Sequence, residues 1–180
     1  MEKNHMIRLA AAVVLGISGF GSVGAQTVVS KTVAGQVYVS SEFVVNARPD
    51  SVIMWLTNPN TLAGIMGYEF SGGVKRFFKI GDAIKITPLH TAFGQRDTGV
   101  ILLSYVRASK EIRFTFEPEN GKYIYQDQWE PLPFAGNQTK IHYCERSIDS
   151  DGAQSSSKTE ECERLMRERL TKLKAIVERK

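Results

Sequence analysis

Histidine and cysteine are scarce in this chain, with three histidines and two cysteines among 180 residues. Beyond the first residues only His90 and His142 remain, and no Cys or His lies at ligand spacing, so no metal centre is expected. A run of bilayer length is missing as well. The stretch from Leu9 to Phe20 is broken by glycines and falls short of the roughly 20 apolar residues that a spanning helix needs, and no later segment comes nearer. Charge of one sign is also lacking: 23 Lys and Arg stand against 19 Asp and Glu, a net of +4 spread along the chain, which argues against a nucleic-acid partner. The glycine loops "SGGV" and "FAGNQ" carry no phosphate-binding pattern, no serine sits in a nucleophile elbow, and no internal repeat is found. Nothing calls for a cofactor.

What is there begins with "MEKNHMIRLAAAVVLGISGFGSVGAQ". Lys3 and Arg8 precede an apolar stretch that ends in small residues, with Val23 and Ala25 placed as at a signal-peptidase site. Residues 1–25 are expected to be a signal peptide cleaved near Ala25, leaving a periplasmic or secreted chain without an integral membrane segment. Residues 26–35 read as a flexible leader, and 36–180 as one domain of ordinary size. An oxidising compartment permits Cys144 and Cys162 to pair, yet the one falls on the outward face of a strand and the other on the apolar stripe of a helix.

Val37, Val39, Phe43 and Val45 alternate with polar residues, the period of a half-buried strand. The rhythm breaks at "ARPDSVIMWLTNPNTLAGIMG", where Pro49 suits a first helical position, Asn58 and Pro59 end one short helix and start another, and Gly67 stops it. Short strand-like runs follow over 68–70, 74–78, 83–87 and 100–106, then from Ile112 to Phe116. The region 89–98, with His90 and Arg96, shows no period and reads as a loop. After "DSDGAQSSS" comes one long helix, introduced by Ser157 and Glu160 at capping-box spacing. Its stripe of Cys162, Leu165, Met166, Leu170, Leu173, Ile176 and Val177 is wide enough to lie on a sheet.

Between them lies "YIYQDQW", a strand that puts Tyr123, Tyr125, Asp127 and Trp129 on one face. An acid among three rings is unusual for an apolar wall. In the next strand Ile141, Tyr143 and Glu145 share a face opposite to His142 and Cys144; pairing Asp127 with Tyr143 would turn both acids the same way, whereas a slip by one residue would pair Asp127 with His142 and turn the other face inward.

The order of elements resembles the START-like or SRPBCC superfamily of polyketide cyclases, lipid carriers and pollen-allergen relatives. The resemblance rests on "VNARPDSVIMWLTNPNTLAGIM", "FKIGDAIKIT", "GVILLSYVRASKEIRFTFEP", "WEPLPFAGNQTKIHYCERS" and the amphipathic C-terminus. It implies an α+β helix-grip fold: a curved antiparallel β-sheet of about six or seven strands wrapped around a long C-terminal α-helix, with two short helices after the first strand. It also implies a small hydrophobic ligand, a lipid, quinone or aromatic compound, in a cavity between sheet and helix. Tyr123, Tyr125, Asp127, Trp129 and Tyr143 would then line that cavity, with Met166 and Leu170 above them if it extends under the helix. Asp127 and Glu145 are the candidates for acid–base chemistry of a cyclase or hydratase, should the chain be an enzyme rather than a carrier. A protein-interaction module with a filled interior is the third reading.

Overall fold

The computed structural model describes residues 27–33, 36–88, 98–107, 110–121, 123–149 and 156–179. Residues 1–25, expected to form a signal peptide, lie outside the described residues, as do His90, Arg96 and the side chains of Tyr123 and Ser157.

Eight strands form one open antiparallel sheet. They are β1 (Thr27–Val33), β2 (Gln36–Val45), β3 (Tyr68–Gly73), β4 (Ala83–Pro88), β5 (Gly99–Arg107), β6 (Glu111–Pro118), β7 (Tyr123–Pro133) and β8 (Thr139–Asp149). The order across the sheet is β1-β2-β8-β7-β6-β5-β4-β3, so the chain crosses from β2 to the far edge and then meanders back. The crossing is made by α1 (Pro49–Leu56) and α2 (Pro59–Met66). Asn58 caps α2 by accepting from the N–H groups of Asn60 and Thr61 at 3.0 and 3.2 Å. Gly67 ends it at φ 74°, a left-handed conformation that glycine adopts without strain.

The third described helix, α3 (Ser156–Val177), lies against β1, β2, α1 and α2. Its buried residues Cys162, Met166, Leu170, Leu173 and Val177 join one continuous core with Val39, Phe43, Ile112, Trp129, Ile141 and Tyr143 of the sheet. A sheet apolar on one face and a helix apolar along one stripe bury those surfaces against each other, and this two-layer packing is the main source of stability.

Three expectations need correction. The sheet has eight strands rather than six or seven, because the segment taken as a loose leader supplies β1, paired with β2 from Thr27↔Glu42 to Val33↔Gln36. Thr27, Val28, Val29, Thr32 and Val33 make it rich in β-branched residues, which suit a pleated edge. The run 74–78 is not a strand. At Gly73 (φ 124°) an added Cβ would run into the backbone of Ala83 and Ile84, and there the chain leaves β3 after a register shift between Phe70 and Gly72. Finally, β7 and β8 pair as Asp127↔Glu145 and Trp129↔Tyr143, two residues away from the expected Asp127–Tyr143 register. An even shift keeps every side chain on its face, so both acids still point the same way. Cys144 and Cys162 are both free thiols.

Candidate functional site

Alternation along β7 and β8 carries Tyr125, Asp127, Trp129, Tyr143 and Glu145 to the face under α3. Asp127 and Glu145 retain only 3% and 2% of their exposure, and Tyr143 and Trp129 none. Trp129 and Tyr143, directly opposite, stack with ring centroids 3.7 Å apart and planes inclined by 21°. Into this aromatic wall α3 inserts a cation. Arg169 is 5% exposed, and its Nη1 donates to Tyr125 Oη at 2.7 Å and to Glu145 Oε1.

Glu145 is the hub. It accepts from Tyr125 Oη and Tyr143 Oη besides Arg169. Tyr143 Oη also stands 3.0 Å from Asp127 Oδ1 and 3.9 Å from the sulfur of Met66. A phenol has one hydrogen to give. If Tyr143 gives it to Glu145, the contact with Asp127 is satisfied when Asp127 carries a proton and donates to the phenol oxygen.

The electrostatics agree. Burial pushes the Asp127 carboxyl well above the usual carboxylate range, the Glu145 charge pushes it further, and Arg169 and the Tyr143 hydrogen bond only partly oppose this. Burial likewise raises both phenols, while Arg169 is held firmly protonated by Glu145 and the surrounding tyrosines against its own desolvation. Two donors remain over: among the described residues, Trp129 Nε1 and Arg169 Nε are buried without a hydrogen-bond partner. Orphaned buried N–H groups are rare and cost about 1–3 kcal/mol each.

The opposite face of the same strands is unlike this. A cavity of about 110 Å³ there is lined by Tyr38, Arg113, Gln126, Gln128, Cys144 and Arg146, and Asp127 of the inward-facing set also borders it. Several of its polar groups are engaged: Arg146 Nε donates to Gln126 Oε1, and Gln128 Nε2 donates to Glu130 Oε1 at 2.7 Å. His142 pairs with Glu130 at 3.2 Å on that face, so it forms no dyad with Asp127 or Glu145.

Of the residues singled out in the sequence, Tyr125, Asp127, Trp129, Tyr143 and Glu145 come together, and Met166 and Leu170 belong to the same core at 0% and 1% exposure. Tyr123 has its backbone in β7 opposite Asp149, and its side chain lies outside the described residues. Arg169 and Met66 were missed. The signal for Arg169 was present in the sequence: it follows Met166 by three and precedes Leu170 by one, inside the apolar stripe where a cation needs a partner.

The fold defines an α+β protein with an open eight-stranded antiparallel sheet carrying a C-terminal helix, compatible with a helix-grip arrangement. No protein-family model matches the chain, and no curated protein does. Solved structures do. Protein CV1439 from Chromobacterium violaceum is 18% identical with a TM-score of 0.62, over 79% of this chain and 98% of its own. A protein from Arthrobacter aurescens, solved by NMR in solution, is 18% identical with a TM-score of 0.60, over 87% and 92%. CalU16 from Micromonospora echinospora is 13% identical with a TM-score of 0.57, over 86% and 85%. At these identities the likeness concerns the fold.

Proposed function

We propose that this chain is an exported START-like binding or carrier protein for a small, largely apolar molecule, held between the sheet and α3 with its polar end at the Asp127–Tyr143–Glu145–Arg169 cluster. The observation that carries the reading is a buried ionic network with two donors to spare, Trp129 Nε1 and Arg169 Nε. For stability alone, well-packed apolar residues would serve at least as well as a buried ion pair. A network that keeps unused donors suits a guest that brings an acceptor oxygen, such as a carbonyl or an ester.

Trp129, Tyr143 and Met166 have no accessible surface, so a guest enters by displacing side chains. Met66 and Met166 are suited to move, since unbranched thioethers repack at little cost. A ligand hiding about 300 Å² of apolar surface could gain roughly 7 kcal/mol before ordering costs, and the polar cluster would add selectivity.

Native mass spectrometry of the protein purified from its own cells tests this. A co-purifying small molecule, lost from an Arg169→Met variant that remains folded, is the expected result. Protein that carries nothing and takes up no lipid, quinone or aromatic compound on titration would refute the carrier reading.

One observation favours a second reading, an acid–base enzyme of the cyclase or hydratase kind. Asp127 is a buried carboxyl beside a phenol, its titration pushed upward by burial, the direction that suits a general acid. Under that reading Asp127→Asn loses turnover by about 10² or more while binding persists.

A further inference from the structure

The connection between β3 and β4, "VKRFFKIGD" from Val74 to Asp82, is pinned at nearly every step. Phe77 is the anchor. It is 2% exposed, packs edge-on against Phe114 with centroids 5.0 Å apart, and donates its backbone N–H to Thr57 O at 3.0 Å. Asp82 closes the turn: Oδ2 accepts the N–H groups of Phe78 and Lys79 at 2.6 and 2.9 Å, which holds its carboxyl below the usual range. Gly81, at φ 91°, donates to Leu103 O at 2.9 Å, and Leu103 N–H returns to Asp82 O at the same distance.

This frame turns the next side chains outward. Phe78 is 75% exposed and Ile80 59%, the two largest exposures among the described large hydrophobic residues. Lys75, Arg76 and Lys79 are exposed around them, and the guanidinium of Arg76 lies 5.6 Å from the centre of the Phe78 ring. No ion pair engages any of the three cations among the described residues. The one acid of the turn, Asp82, accepts two backbone N–H groups and also feels the charge of Lys79.

Single exposed apolar residues are ordinary. Two of them held out by a hydrogen-bonded turn that also carries three exposed cations are a different arrangement. We propose that the Val74–Asp82 turn docks the protein on an anionic lipid bilayer, with Phe78 and Ile80 entering the headgroup–acyl boundary and Lys75, Arg76 and Lys79 meeting lipid phosphates. Charge complementarity selects this occupant, because an aromatic and an aliphatic side chain flanked by cations match an interface that is apolar below and negative above. The proposal is independent of the internal cluster.

Flotation with phosphatidylcholine vesicles, with and without phosphatidylglycerol, tests it on protein purified from its own cells. The wild type is expected to float with the anionic vesicles and to be released as ionic strength rises. Phe78→Ser with Ile80→Ser should weaken binding by at least about tenfold. Lys75→Gln and Arg76→Gln should each weaken it about fivefold. Unchanged circular-dichroism melting of these variants separates a lost contact from a lost fold, and a shared N-terminus cancels any contribution from that segment. A wild type that stays in the bottom fraction with both vesicles, or a Phe78→Ser/Ile80→Ser variant that floats like the wild type, overturns the proposal.

Discussion

Asp127 and Glu145 stand directly opposite each other on adjacent strands, both facing α3, and the Arg169 guanidinium pairs with Glu145 while Asp127 meets the Tyr143 hydroxyl. Burial first and the neighbouring Glu145 charge second push the Asp127 carboxyl well above the usual range, so of the two acids Asp127 is the one whose charge the interior disfavours.

This asymmetry makes stability depend on pH. The folded-state value of Asp127 lies above its unfolded value of about 3.9, so the native state binds the extra proton. Its contribution is therefore complete at low pH and is lost as pH rises from about 4 through the raised folded value. Asp127→Asn, a neutral isostere, should match the wild type near pH 4 and gain on it steadily towards neutrality. Urea midpoints of the two proteins across that range measure the gap, and a gap that stays constant would contradict the assignment.

Arg169→Met leaves Glu145 buried without its counter-charge and should cost about 3–5 kcal/mol. Adding Glu145→Gln should restore much of the loss. A double-mutant cycle by urea denaturation reads the coupling, and additive losses would show that the two residues act separately.

Tyr143→Phe keeps the ring stacked on Trp129 and removes only the hydroxyl between the two acids. The expected cost is about 1–3 kcal/mol, with near-ultraviolet circular dichroism little changed. Loss of the aromatic signal would mean that the hydroxyl, and not the ring contact, orders that wall.

Glycine positions separate conformation from crowding. At Gly67 an added Cβ meets nothing within 4 Å, so Gly67→Ala should cost only the left-handed backbone, about 1 kcal/mol. At Gly99 it meets the Phe116 ring and the Glu117 carbonyl, so Gly99→Ala should cost more, about 1–3 kcal/mol. Melting temperatures of the two variants should rank in that order.

On the outer face, His142→Gln should change stability by less than about 1 kcal/mol, because its pairing with Glu130 is partly solvated. A large loss of ligand binding or activity in that variant would mean that the outer face, rather than the inner cluster, forms the site.

Much of the cluster was legible in "YIYQDQW", because a period of two is a property of the strand itself and needs no partner to be read. The pairing across β7 and β8 was not legible. It is set by the turn that Phe134 N–H closes onto Gln138 O at 3.0 Å, with Gly136 at φ 60°, which puts Pro133 opposite Thr139 and hence Asp127 opposite Glu145. The leader was misread for a similar reason. Nothing local in "TVVSKTV" announces that β2 has a free edge to offer.

Local chemistry, then, was enough to set which residues form helices, where Asn58 and Gly67 bound α2, and which side of β7 carries the acid, since each depends on a few neighbours along the chain. The tertiary structure alone decided that Arg169, 24 residues beyond Glu145 in sequence, comes within bonding distance of it, and that the Asp127 carboxyl is pushed well above its usual range. Both outcomes require the helix to lie on the sheet, because only that contact excludes water and makes the distance between those groups matter.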